Sequence, residues 1–224
     1  MRRMTMALAA MLAAAAPAAA EVVEFDGMEV VVGTPGAYCA IGDGQFSAVS
    51  MLLLSDDPGE VLIAFARCEE LAELEAGSTA TVRHYGLIAG VRDAEGGAVR
   101  PGKPLDAYLQ EYDVQQSAAL DAGTRRTLVG FNGNLSVEIE PLGLVSASEQ
   151  AHFAGLVLRP DEPGREAIIG VTGRTLVSGR AVQVEVYGPD EGVAMPELIL
   201  LARDLMSLLW EHNPDGAGVG ETDL

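Results

Sequence analysis

The stretch AIIGVTGRTLVSGRAVQVEVYGP at 167–189, followed six residues later by PELILLARDLMSLLWEHN at 196–213, decides the fold class. Ala167 to Val177 is rich in β-branched residues, and Ser178-Gly179 is a tight-turn pair. Val182, Val184 and Val186 then alternate with Gln183, Glu185 and Tyr187. Alternation about a two-residue turn predicts an antiparallel hairpin. In the second segment Leu198, Leu201, Ala202, Leu205, Leu208 and Leu209 fall on one helical stripe, widened by Ile199, Met206 and Trp210. So broad an apolar face predicts a deeply packed helix with Trp210 in the core. Pro196 suits its first turn. His212-Asn213-Pro214 offers a cation-capable side chain, a left-handed-tolerant residue and a breaker at its end.

Working outward, Leu105, Tyr108, Leu109, Tyr112, Ala119 and Leu120 recur at helical spacing, and Gly123 supplies a stop, so Leu105 to Ala122 is expected to be a helix. A shorter helix from Cys68 to Ala76 ends at Gly77, with Glu69, Glu70, Glu73 and Glu75 expected on its wet side. Leu135, Val137 and Ile139 alternate with Ser136, Glu138 and Glu140 just after the turn pair Asn132-Gly133. Met28 to Val32, Val61 to Phe65 and His152 to Leu158 complete the expected strands. Helix, strands, helix is not the βαβ alternation of a parallel sheet. The expectation is an α+β fold, a mainly antiparallel sheet of about six or seven strands covered by helices.

The chain has 224 residues. Arg2-Arg3, an apolar run from Met6 to Ala16 and the small residues Ala18-Ala19-Ala20 read as an export signal cleaved near Ala20. Met4-Thr5-Met6 lacks the rest of a twin-arginine pattern, which favours the general secretory route and keeps the twin-arginine route as the alternative. The apolar run is short of the roughly 20 residues of a spanning helix, so no stable membrane insertion is expected after cleavage. The organisation expected is a signal over 1–20, one α+β domain over 21–213 and a Gly-rich, acidic, disordered tail over 214–224. Asp93 to Pro104, with Gly96-Gly97 and Pro101-Gly102, reads as turns. In a periplasmic or secreted location Cys39 and Cys68, the two cysteines of the chain, are expected to form a structural disulfide.

The charge balance is 14 basic against 33 acidic residues. Such an excess repels phosphate backbones, which excludes nucleic acid as a partner. No motif carries chemistry. The histidines are His84, His152 and His212; the last suits a helix C-terminus, and the others read as ordinary surface or core residues. There is no Gly-x-Ser-x-Gly elbow, no Ser-x-x-Lys, no His-x-x-x-His and no Cys-x-x-Cys. Lys103 stands in a turn between Gly102 and Pro104. The acidic pairs Asp56-Asp57, Asp161-Glu162 and Asp190-Glu191 do not follow a calcium-loop pattern. Gly42-Asp43-Gly44 lacks the Lys and Ser/Thr of a phosphate loop. No catalytic residue, cofactor or metal site is assigned.

Gly36-Ala37-Tyr38-Cys39, the step Ala64-Phe65-Ala66-Arg67-Cys68 and the hairpin plus helix from Val171 to Asn213 resemble the PsbP/DcrB-like group of exported domains. Tyr38-Cys39, Ala66 to Leu71 and Thr172 to Tyr187 are also similar to exported bacterial proteins without assigned roles. The resemblance implies an antiparallel sheet with helices on both sides and a role as an assembly or interaction factor. The expected function is therefore a non-enzymatic periplasmic interaction or assembly module with an envelope protein partner. Two alternatives stay open: a small-molecule or lipid carrier, and an envelope hydrolase with a spatially assembled site. The surface from Asn132 to Gln150 and the Ser178-Gly179 turn are the expected contact regions.

Overall fold

The computed structural model describes residues 20–41, 59–78, 82–120, 124–130, 133–161, 164–191 and 194–214. The expected signal through Ala19, Gly42 to Gly44, Asp56-Asp57, Asn132 and the tail beyond Pro214 lie outside the described residues. In chain order the elements are β1 Ala20–Phe25, β2 Met28–Gly33, β3 Tyr38–Ala40, β4 Glu60–Arg67, α1 Cys68–Glu75, β5 Tyr85–Gly90 and α2 Leu105–Leu120. There follow β6 Thr124–Gly130, β7 Gly133–Ala147, β8 His152–Pro160, β9 Ile168–Val177, β10 Arg180–Pro189 and α3 Ala194–His212. The fold class is α+β, with an antiparallel main sheet in the order β3-β4-β5-β10-β9-β8-β7-β6 and a separate β1-β2 hairpin.

The β9–β10 hairpin has the expected turn. Ser178 and Gly179 both take positive φ, 48° and 72°, and Val177 pairs with Arg180. Primed turns of this kind match the twist of the strands they join. A second two-residue hairpin, with Asp26 at φ 51° and Gly27 at φ 73°, joins β1 to β2.

Side-chain alternation sorts the sheet into two covered faces. Val182, Val184 and Val186 of β10 join Phe65, Phe153 and Val171 in a core closed by Leu198, Ala202, Leu205, Met206 and Leu209 of α3 and by Phe25, Val30 and Val32 of the β1–β2 hairpin. Gly90 is required here: a Cβ on it would stand 2.2 Å from the Phe25 ring. On the opposite face Leu71 of α1 packs with Ala64, Ala66, Tyr85, Leu87 and Tyr187, while Tyr108 and Leu109 of α2 pack on Leu176 and Ala181. The polar members of the β10 alternation are consequently not solvated. Gln183, Glu185 and Tyr187 are all buried, because this strand is covered on both sides.

Three local expectations are revised. Trp210 is half-buried at the margin of the core, where its indole N–H donates to Thr175 Oγ1 at 3.1 Å. Asn213 ends α3 through its side chain, not a left-handed backbone: Nδ2 donates to the carbonyls of Leu209 (2.7 Å) and Val31 (2.8 Å), while Oδ1 accepts from the Val31 N–H. Glu70 turns away from the wet side of α1, its side chain only 16% exposed. His212 behaves as expected, its Nδ1 donating to the Leu208 carbonyl at 2.7 Å. Among the described residues no helix is long and apolar enough to cross a membrane.

Candidate functional site

Cys39 and Cys68 are disulfide-bonded, with their Cα atoms 4.9 Å apart. The bond ties the short edge strand β3 to the start of α1, at the corner where a row of side chains assembles. Tyr38 pairs with Arg67 across β3 and β4. The Arg67 N–H donates to the His84 carbonyl at 3.1 Å. Since Tyr85 pairs with Tyr187, His84 falls opposite Gly188 at the end of β10. Tyr38, Arg67 and His84 thus line up across neighbouring strands on the α3 face of the sheet.

With the turn residues Pro35 and Ala37 and with Glu197, Leu198, Leu200, Leu201 and Asp204 of α3, this row bounds an open cleft of about 330 Å³. Leu198 forms part of the buried core, whereas Leu200 is 59% exposed. The cleft therefore has Tyr38 and Arg67 as hydrogen-bond donors on its sheet side, and apolar and acidic side chains of α3 on the other.

The donor wall is held from behind. Glu70 accepts from His84 Nδ1 at 2.5 Å and from the backbone N–H groups of Arg83 (2.7 Å) and His84 (2.9 Å). Burial pushes the Glu70 carboxyl up, but these hydrogen bonds outweigh it and hold the group below its usual value. An ionised Glu70 can only accept, so Nδ1 of His84 carries the proton and the ring orientation is fixed. Nε2 has no partner among the described residues. Burial likewise raises the Tyr38 hydroxyl, against the lowering effect of the hydrogen bond from Arg67. The hydroxyl stays protonated at neutral pH and, accepting from Arg67, keeps its own hydrogen to donate.

A second polar cluster lies beneath α2. His152 Nδ1 meets both Asp113 oxygens at 2.8 and 2.9 Å. Arg174 donates to Gln183 Oε1 at 2.6 Å and to the Tyr108 hydroxyl at 3.3 Å, and its guanidinium lies over the Tyr112 ring. Gln183 Nε2 and the Tyr187 hydroxyl donate to the two oxygens of Glu185. Burial pushes Glu185 and Tyr112 up. This cluster fastens α2 to the sheet; its members satisfy one another and do not line the cleft.

The expected contact regions lie elsewhere. Glu138 and Glu140 are exposed on β7, next to the β6 edge and across the sheet from the cleft, with Glu140 accepting from Arg159 at 3.0 Å. Of the acidic pairs, Glu191 is bound to Arg83 at 2.6 Å and Asp190 stands 3.9 Å from Arg159. Among the described residues no three His, Cys, Asp or Glu side chains converge as a metal site. The cleft residues Tyr38, Arg67, Glu70 and His84 were not assigned a site role from sequence. The cysteine pair contained a signal for two of them, because Tyr38 and Arg67 each precede one of the bonded cysteines.

No protein-family profile matches the chain, and no curated protein does. Among solved structures, the Ran-binding protein Mog1p of Saccharomyces cerevisiae is similar over 89% of this chain and 94% of that one, at 11% identity and a TM-score of 0.38. A likeness at that level decides neither fold nor role.

Proposed function

We propose that this chain is an exported, non-enzymatic interaction module of the cell envelope and that it recognises its partner through the cleft between the Tyr38-Arg67-His84 row and the first half of α3. The observation that carries this reading is the composition of the cleft. Donors come from the sheet strands while apolar and acidic side chains come from α3, and Tyr38 supplies the one hydroxyl of the described lining. A nucleophile would need a Ser, Thr or Cys beside the oriented His84, and Tyr38 is instead a hydroxyl that burial keeps protonated. The carrier alternative calls for an enclosed apolar cavity beneath α3, but the stripe of α3 is occupied by the core and the cleft opens to solvent. The export signal expected from residues 1–20, the bonded cysteines and the PsbP/DcrB-like resemblance expected from the sequence favour an envelope location and an interaction role.

Site-specific photo-crosslinking tests the reading. A photoreactive residue replacing Leu200, at the mouth of the cleft, is expected to give a discrete protein adduct in the intact envelope. The same residue replacing Val114, exposed on α2 at the opposite face, is the control. Adducts from position 114 and none from position 200 would move the recognition surface away from the cleft.

A further inference from the structure

We infer that the cleft captures the carboxyl-terminal end of a partner polypeptide, with the terminal carboxylate on Arg67 and Tyr38 and an upstream basic side chain against Glu197 and Asp204. The inference rests on the proposed binding role and names the chemistry of the occupant.

The first ground is the state of Arg67. Arg83, Arg92, Arg100, Arg159 and Arg180 each have a carboxylate within ion-pair distance. Among the described residues Arg67 has the Tyr38 hydroxyl beside it and no carboxylate within ion-pair distance, in a chain with 33 acids against 14 bases. Arg174 and Arg203 also lack one, but Arg174 is taken up by Gln183 and the Tyr108 hydroxyl, and neither lines the cleft. A guanidinium is a planar fork that binds a carboxylate through two parallel hydrogen bonds. Tyr38 retains a hydrogen to donate beside it, and the nearest carboxylate on this wall, Glu70, is already taken up by His84 and two backbone N–H groups.

The second ground selects among anions. Glu197 and Asp204 stand on the opposite wall without an ion-pair partner among the described residues, and both are exposed. They oppose a doubly charged phosphate and favour a ligand that brings a cation with its anion. Leu198, Leu200 and Leu201 line the cleft beside these acids on α3 and suit apolar side chains. Glu197 and Asp204 are seven residues apart on α3, about 10 Å along the axis, so the acidic side offers a cation two positions along the cleft. A polypeptide end with a carboxylate, one or two apolar side chains and a Lys or Arg two residues upstream meets all three requirements. Capture of a terminal carboxylate is an established mode of peptide recognition.

The test is fluorescence polarisation with the peptide Gly-Gly-Lys-Leu-Leu, labelled at its amino end, against the disulfide-bonded protein. The free acid is expected to bind at least tenfold more tightly than the carboxyl-terminal amide. Arg67→Gln should weaken the acid at least tenfold and abolish the preference for acid over amide, whereas Arg203→Gln should change neither. Melting curves check that Arg67→Gln remains folded; if it does not, Arg67→Lys, which keeps charge but loses the fork, takes its place. Replacing the peptide Lys by Glu should weaken binding several-fold. Equal affinity of acid and amide, or no binding of either, overturns the inference. Crosslinking from position 200 still judges the binding role on its own. An unlabelled tripeptide with a free amino end that binds tenfold more tightly than its acetylated form would assign free short peptides in place of a protein partner, which also overturns the inference.

Discussion

Removing the Cys39–Cys68 bond should have a global and a local consequence, and the two are separable. The bond closes a loop with a sequence separation of 29. For that loop the entropy lost by the unfolded chain corresponds to about 3.6 kcal/mol at 25 °C. A chain of 224 residues changes its melting temperature by about 2–4 °C per kcal/mol, so the paired Cys39→Ser, Cys68→Ser variant should melt about 7–14 °C lower. The local effect follows from the shortness of β3. Three residue pairs, Tyr38 with Arg67, Cys39 with Ala66 and Ala40 with Phe65, attach it to the sheet. Without the covalent tie such a strand opens at far lower cost than the whole domain. Hydrogen exchange at residues 38–40 should then accelerate in the variant well before exchange in β9 and β10 does. Circular dichroism melts with and without reductant measure the first effect, and exchange mass spectrometry the second. A melting change below 2 °C, or native protein in which both thiols react with a labelling reagent, would refute the reasoning.

Two further outcomes follow from the buried polar groups. Burial raises the Glu185 carboxyl above its usual 4.5, so the folded state holds a proton that the unfolded state releases. Its contribution to stability is then greatest below about pH 4.5 and is lost as pH rises through the folded value. Glu185→Gln keeps the shape without the ionisation, and its stability relative to the native protein should increase from pH 5 to pH 8 in urea unfolding; parallel pH curves would refute the assignment. For Trp210, replacement by Phe should cost about 1 kcal/mol for the lost hydrogen bond to Thr175, and replacement by Ala about 2–3 kcal/mol, below the range for a fully buried ring. Denaturant midpoints decide, and a loss above 4 kcal/mol for the Ala variant would place the ring in the core after all.

The elements legible in the sequence are those whose periodicity is set by one core. The stripe of α3 and the β9–β10 hairpin needed only local pattern and a turn pair. β5 escaped because Gly86, Ala89 and Gly90 remove the β-branched signal, and they are small for a reason: Phe65 and Phe25 lie against Gly86 and Gly90. The β1–β2 hairpin carried a usable mark in Asp26-Gly27, a strong two-residue turn signal. Gln183 and Glu185 show where alternation misleads. Period two establishes that successive side chains face opposite ways, not that one of those ways is water. Glu70 misled for a related reason: four glutamates in a short helix read as a solvated face, yet one turn points back to the His84 backbone. The row Tyr38-Arg67-His84 was half legible, since a bond between Cys39 and Cys68 brings the segments that carry Tyr38 and Arg67 to one corner, although the register that pairs them is not encoded in it. The contact between Arg67 and His84 is a matter of register between β4 and the start of β5, which no local pattern encodes.

The treatment of charge at the two ends of β10 supports a recognition role for the cleft. At the Arg180 end, Asp26 in the β1–β2 turn accepts from Arg180 Nε at 3.0 Å and is also bound by Arg100. These two arginines hold the Asp26 carboxyl below its usual range. Both hairpin turns are thereby stapled together and the α3 face of the sheet is closed. Gly188 stands eight residues further along β10, about 26 Å away. There the same face ends at the cleft, where among the described residues Arg67 meets a hydroxyl and no carboxylate, although Glu197 and Asp204 lie across the opening. In a chain this rich in acids, closing that end would have needed only one Asp or Glu within reach of Arg67, as Asp26 is within reach of Arg180. Arg67 and the two acids instead face a space of about 330 Å³ from opposite sides, which is the arrangement expected where a ligand supplies the missing counter-charges.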